Sequence, residues 1–297
     1  MLSGTAERRI VRAGVASVAV GLLVLGLKLA AAWTTGSIAL LSDGLESIVN
    51  VVAAAIALFA VKVASRPADH NHPFGHSKIE YFSAGIEGAL VVLAALTILV
   101  TAVRRFGATP SLPALGVGLG LSATATLANA ALSVYLLRIG RRHHSPAIVA
   151  DGQHVQSDVL TSLAVLGGFG VAWATGFWAL DALIAVGVAG YILGVGIATV
   201  RRSFGGLMDE GLELAEVKKI ERLLAEHRGD ALEVHDLRTR RAGRDVFVDF
   251  HLVTRGTMTV AAAHDLCDRL EELLGEAIPG AQVSIHVEPE REAHGAG

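Results

Sequence analysis

Six stretches in the first 200 residues stay apolar for about the ~20 residues that an α-helix needs to cross a ~30 Å hydrocarbon core. They cover residues 13–33, 38–61, 79–103, 114–137, 146–175 and 177–200. The first, preceded by Arg8, Arg9 and Arg12, resembles a signal peptide at its amino end. Its apolar run exceeds the 7–15 residues of such a peptide's core and five more runs follow, so it reads as a retained helix.

Beyond residue 213 the periodicity changes. Residues 213–227 and 260–276 read as amphipathic helices, and 233–240, 245–254 and 281–287 as strands, with Ala242-Gly243 at the first turn. Val246, Val248, Phe250 and Leu252 alternate with Phe247, Asp249 and His251, which puts the two sets on opposite faces of one strand. The pattern predicts an α-helical membrane protein: a six-transmembrane-helix bundle over 1–205, then a cytoplasmic αββαβ, metallochaperone-like domain over 206–290. Residues 291–297, with His294, read as a disordered tail.

Charge supports the division. Residues 1–200 carry 12 Lys/Arg and 9 Asp/Glu, against 13 and 19 in the last 97. The amino end, the loops after the second and fourth spans and the exit of the sixth hold 11 basic residues, and the opposite loops only Arg104 and Arg105. Both termini are therefore expected in the cytoplasm, in a multi-pass membrane protein. Hydrophobic residues make up 52%, which excludes a disordered chain. A single cysteine excludes a disulfide framework, and a net charge of −3 argues against nucleic acid as a partner.

The candidate chemistry lies in polar residues that a lipid-facing helix would not carry. Asp43, Glu46, Ser47 and Asn50 recur at spacings of three and four in the second span, and His154 and Asp158 at four in the fifth, with Asp151 and Ser157 nearby. An acid costs roughly 2.5–3.5 kcal/mol at the centre of a spanning helix, so such groups line an interior pathway. Glu46, Asn50, His154 and Asp158, two from each helix, suit a four-coordinate divalent ion. The plainer alternative is a polar clamp between helices with no ion. In the loop after the second span, Asp69, His72 and His76 offer a carboxylate and two imidazoles at spacings of three and four. The tail holds His235, His251, His264 and His286, followed by Glu288. Cys267, beside Leu266 and Leu270, reads as core packing.

Taken together, the six spans, His154-x-Gln-Ser-Asp158, His72-Pro-Phe-Gly-His76-Ser-Lys78 and the small tail resemble the cation diffusion facilitator family, of the bacterial zinc and ferrous-iron efflux type. The resemblance implies a homodimeric secondary transporter, not an enzyme, that exports divalent metal against inward protons. Metal, whether zinc, iron or manganese, is then substrate and structural or regulatory ligand, not a cofactor; cobalt, nickel and cadmium are further candidates. The resemblance places the transport site at Glu46, Asn50, His154 and Asp158 and a peripheral site at Asp69, His72 and His76. It also places two ions between paired tails at His235, His251, His264, His286 and Glu288, and a charge interlock between protomers at Lys78 and Asp209; Asp236, beside His235, is a candidate to orient a neighbouring imidazole. Members of this type usually carry Asp where this chain has Glu46 and Asn50, so one charge is lost. Oxygen donors suit Mn(II) or Fe(II), while the Irving–Williams order favours zinc. A membrane metallo-hydrolase fits poorly, because no His-Glu-x-x-His motif is present. A metal-sensing scaffold without transport is the other alternative.

Overall fold

A computed structural model describes residues 4–35, 38–104, 117–176 and 179–293. They form two compact units that part at Phe204 and Gly205.

The first unit holds six long helices: α1 (Gly4–Thr35), α2 (Ile38–Ala64), α3 (Ile79–Arg104), α4 (Val117–Arg142), α5 (Pro146–Thr175) and α6 (Ala179–Leu207). At 1.5 Å per residue each is long enough to cross a bilayer. Among the described residues five of them also carry a sufficiently apolar window. The first half of α5 carries Asp151, Gln153, His154, Gln156 and Asp158. Large apolar side chains such as Leu23, Phe59, Leu93, Leu127 and Ile197 point outward, as lipid solvation of the outer face requires.

The interior of this unit is built from small residues and short contacts. Ile10 and Ala13 of α1, Ala57, Ala60 and Val61 of α2, Leu132 and Leu136 of α4, and Ala147, Ile148 and Val155 of α5 share one buried cluster. Val91 and Ala95 of α3 meet Ile192 of α6 in another. A Cβ on Gly88 would stand 3.0 Å from the Val200 backbone nitrogen, and one on Gly196 3.0 Å from that of Val92. Close helix approach through glycine is the usual membrane solution where no hydrophobic force drives helices together.

The second unit carries α7 (Leu214–His227), β1 (Glu233–Ala242), β2 (Asp245–Thr254), α8 (Val260–Ala277) and β3 (Ala281–Pro289). The sheet order is β1-β2-β3, with β1 antiparallel and β3 parallel to the central β2. Val246, Val248, Phe250 and Leu252 of β2 pack on Ile220 and Leu224 of α7 and on Leu266, Leu270 and Leu274 of α8. Cys267 belongs to this core, and burial pushes its thiol above the usual range. Thr259 caps α8, its hydroxyl accepting from the Ala262 amide at 3.2 Å. At Gly280, φ is +83° and a Cβ would lie 2.7 Å from the Arg244 carbonyl oxygen, so only glycine fits. Glu290–Glu292 form a 3₁₀ turn that runs into the stretch expected to be disordered, and residues 294–297, with His294, lie outside the described residues.

Candidate metal centres

The first centre lies between α2 and α5. His154 is 5% exposed, and its Nε2 stands 2.8 Å from Asn50 Oδ1. The amide of Asn50 donates from Nδ2 to Asp158 Oδ2. Because that nitrogen faces Asp158, the amide oxygen faces the imidazole, and the network assigns the Nε2–H tautomer to His154. Nδ1 of the same ring is buried with no hydrogen-bond partner. Glu46 is exposed and reaches Asp158 and His154 electrostatically, through space. Three of the expected ligands are therefore linked directly, and the fourth sits within range. Among the described residues Glu46, His154 and Asp158 do not bring three ligand atoms within 4.8 Å of one another. The Asn50 amide stands between the imidazole and Asp158, making the interhelical clamp that the sequence left open. A dication entering here would have to displace the clamp's two hydrogen bonds and use the same atoms.

Beside this centre lies a pair that local spacing did not reveal. Lys28 of α1, 6% exposed, holds Asp43 Oδ1 at 2.8 Å. Asp43 is thereby tied to a fixed ammonium one helical turn before Glu46, which accounts for it as a paired group. Ser47 and Ser157 spend their hydroxyls on backbone carbonyls of Asp43 and Gln153, at 3.1 and 2.9 Å.

The second centre is the loop between α2 and α3. Asp69 Oδ1 accepts from the backbone amides of Asn71 at 3.0 Å and His72 at 2.8 Å, and lies 3.2 Å from His72 Nδ1. Asp69 Oδ2 lies 3.3 Å from His76 Nε2. Donation from the His72 backbone amide, the largest influence, holds the Asp69 carboxyl below its ordinary range. It is thus kept in the charged form that a metal requires. The three expected residues offer ligand atoms within 4.8 Å of one another. His70 is exposed and outside that group.

Strand register builds the third centre. His235 of β1 pairs with His251 of β2, which pairs with His286 of β3, so three imidazoles cross the sheet in line on the face away from the core. Glu288, two residues after His286, shares that face. Its carboxylate is 3.2 Å from His235 Nε2, 3.1 Å from His251 Nδ1 and 3.7 Å from His286 Nε2. His235, His251 and Glu288 form the tight group, and His286 stands at its open edge with its ring 5.0 Å from that of His251. Asp236 reaches His251 at 3.7 Å from an irregularity in β1 where its own φ is +50°. His264, on the exposed side of α8, pairs instead with Asp268 at 3.6 Å and lies outside the cluster in a single chain. Asp209, expected to interlock with Lys78 of a partner, accepts from Arg240 Nη1 at 3.1 Å within its own unit.

Comparison with known proteins bears on what these centres serve. Residues 14–208 match the cation efflux transmembrane domain, and residues 212–290 the cation efflux protein cytoplasmic domain. An uncharacterized transporter of Synechocystis sp., sll1263, is 41% identical over 275 residues, covering 93% of this chain and 89% of that protein. The cation-efflux pump FieF of Yersinia pestis is 33% identical over 288 residues, 95% of each chain. A solved structure of CzrB, described as its zinc form, shares 58% identity over 29% of this chain and 97% of its own, with a TM-score of 0.28.

Apolar helices long enough to span a bilayer, with the matches to the family's transmembrane and cytoplasmic domains, define a multi-pass membrane transporter of cations. The chain belongs to the cation efflux family, the cation diffusion facilitators.

Proposed function

We propose that the chain is a homodimeric metal/proton antiporter of the inner membrane, with both termini cytoplasmic, that exports divalent transition metal. Zinc and ferrous iron are the leading substrates, with manganese, cobalt, nickel and cadmium behind them. The observation that carries the reading is the interhelical Asn50–His154–Asp158 set inside the membrane unit, with Glu46 in electrostatic range. Buried groups of this kind are retained in lipid for a pathway. A dication needs a neutral imidazole and ionised carboxylates, so loading expels protons, and exposing the site alternately to each side turns that exchange into antiport. The match to the family's cytoplasmic domain supports pairing of two tails. In that assembly His235, His251, His286 and Glu288, with His264 from α8, would hold ions that report cytosolic excess, and Asp69, His72 and His76 a peripheral one.

The test is the full-length chain in sealed vesicles, with Zn, Fe(II), Mn(II), Co, Ni and Cd offered in turn and internal pH followed with metal entry. Metal movement with opposite proton movement is expected for zinc or iron. Tight binding with no ion crossing would favour the scaffold alternative, to which the existing Asn50 clamp lends some support.

The tail makes a separate prediction. His251→Ala leaves the core face of β2 untouched, so the sheet should fold. The zinc concentration needed to stabilise the dimer should rise about tenfold or more, read by light scattering of the purified chain, while basal transport remains detectable. An unchanged zinc requirement would remove the tail from metal response.

A further inference from the structure

The membrane unit contains a second set of buried acids that the metal centre does not use. Glu87 of α3 is fully buried, and neither of its carboxyl oxygens has a hydrogen-bond partner. Asp151 of α5, 2% exposed, lies in its electrostatic range and leaves Oδ2 without a partner; its other contact is the Ser17 hydroxyl from α1. Beside Glu87 the α3 and α6 backbones close together at Gly88 and Val200, which leaves little room for solvent. From α6 come Thr199 and Ser203, whose hydroxyls donate to Gln153 and to the Tyr81 carbonyl. Among the described residues Asp151 is the one titratable group acting on Glu87. Asp151 faces His154 one turn along its own helix, and the unpartnered His154 Nδ1 is a further orphan in the same interior.

Two buried carboxyl groups with no cation and too few donors are tolerable only if something positive joins them. Lys28 is bound to Asp43 and has no part in the field at Glu87. Backbone closes in beside Glu87 and neither of its oxygens meets a donor, so a proton, which needs no shell of ligands, fits this setting best. We infer that Glu87 and Asp151 form a proton-holding site behind the metal centre, a place for the coupling ion that is separate from the metal ligands. Resting on the antiport reading, the inference specifies where one of the exchanged protons resides: on a carboxyl oxygen of Glu87, with Asp151 in electrostatic range, from which it leaves when metal charge arrives nearby.

The experiment uses the full chain in vesicles, by infrared difference spectroscopy between acid and alkaline buffer and by proton and metal flux in the same preparation. The wild type should show the carbonyl band of a neutral carboxylic acid. Glu87→Gln should lose that band and lower the ratio of protons to metal by about one. Glu87→Asp, which keeps a carboxyl group, should retain a displaced band and guards against loss through misfolding. A band and ratio unchanged in Glu87→Gln, beside normal wild-type coupling, would overturn this inference alone. So would a wild-type band erased by sodium at constant pH, which would assign the site to sodium. A wild type that moves metal with no proton movement would overturn the antiport reading together with the coupling role.

Discussion

Replacing His154 by alanine is expected to abolish metal-driven proton flux, a loss of at least about 100-fold. The imidazole is the nitrogen ligand proposed for the α2/α5 centre and is held by a 2.8 Å contact to the Asn50 amide. Its removal takes away a ligand, opens a cavity and leaves the amide oxygen without its neighbour. Asp158→Ala should act similarly, because it deletes a proposed oxygen ligand and orphans the Asn50 Nδ2 donor. Flux is measured in vesicles with metal and pH indicators together, and circular dichroism confirms that the helices persist. Unchanged flux in both variants would reject the centre.

The second large effect is expected from Asn50→Asp. One amide donates to Asp158 and faces His154 with its oxygen, which satisfies both neighbours without adding charge. A carboxylate in its place loses the donor and sets two acids against each other. The empty protein should lose about 1–3 kcal/mol of stability, seen as a lower unfolding temperature. Metal reverses the sign, since a dication between two carboxylates is better neutralised than one beside an amide. Zinc affinity should therefore rise about tenfold or more, with a steeper fall as pH drops and protons compete for the added carboxylate. Selectivity among zinc, iron and manganese should change with it. Identical affinity and selectivity would mean that this amide does not touch the ion.

The helices were legible because lipid imposes one rule on the whole length of a span, and residues 38–61 and 146–175 meet the observed α2 and α5 closely. Ends that leave the bilayer were not. α1 begins at Gly4 and α6 runs to Leu207 because hydrogen bonding continues past the apolar run, through residues such as Arg201 and Arg202. Among the polar groups, those repeating at three and four on one helix were visible. Lys28, Glu80 and Glu87 were not: Lys28 is the one charge in its apolar run, and Glu80 and Glu87 stand seven apart in theirs with no repeat at three or four to mark them. Lys28 and Glu80 take partners from distant helices, Asp43 from α2 and Ser145 from the start of α5. The tail histidines were found by type, but their alignment across three strands depends on a register that alternation alone does not set. Asp236 joins them only through the positive-φ irregularity in β1.

The central claim is that a divalent ion binds between α2 and α5 on the atoms that now form the clamp. X-ray absorption at the zinc edge tests it directly, on the full chain carrying alanine at His72, His76, His235, His251, His264 and His286 so that only the membrane centre remains. The account predicts one bound zinc per chain, with a single imidazole nitrogen among oxygen ligands. A chain that folds, retains His154 and Asp158 and yet binds no zinc there would contradict it.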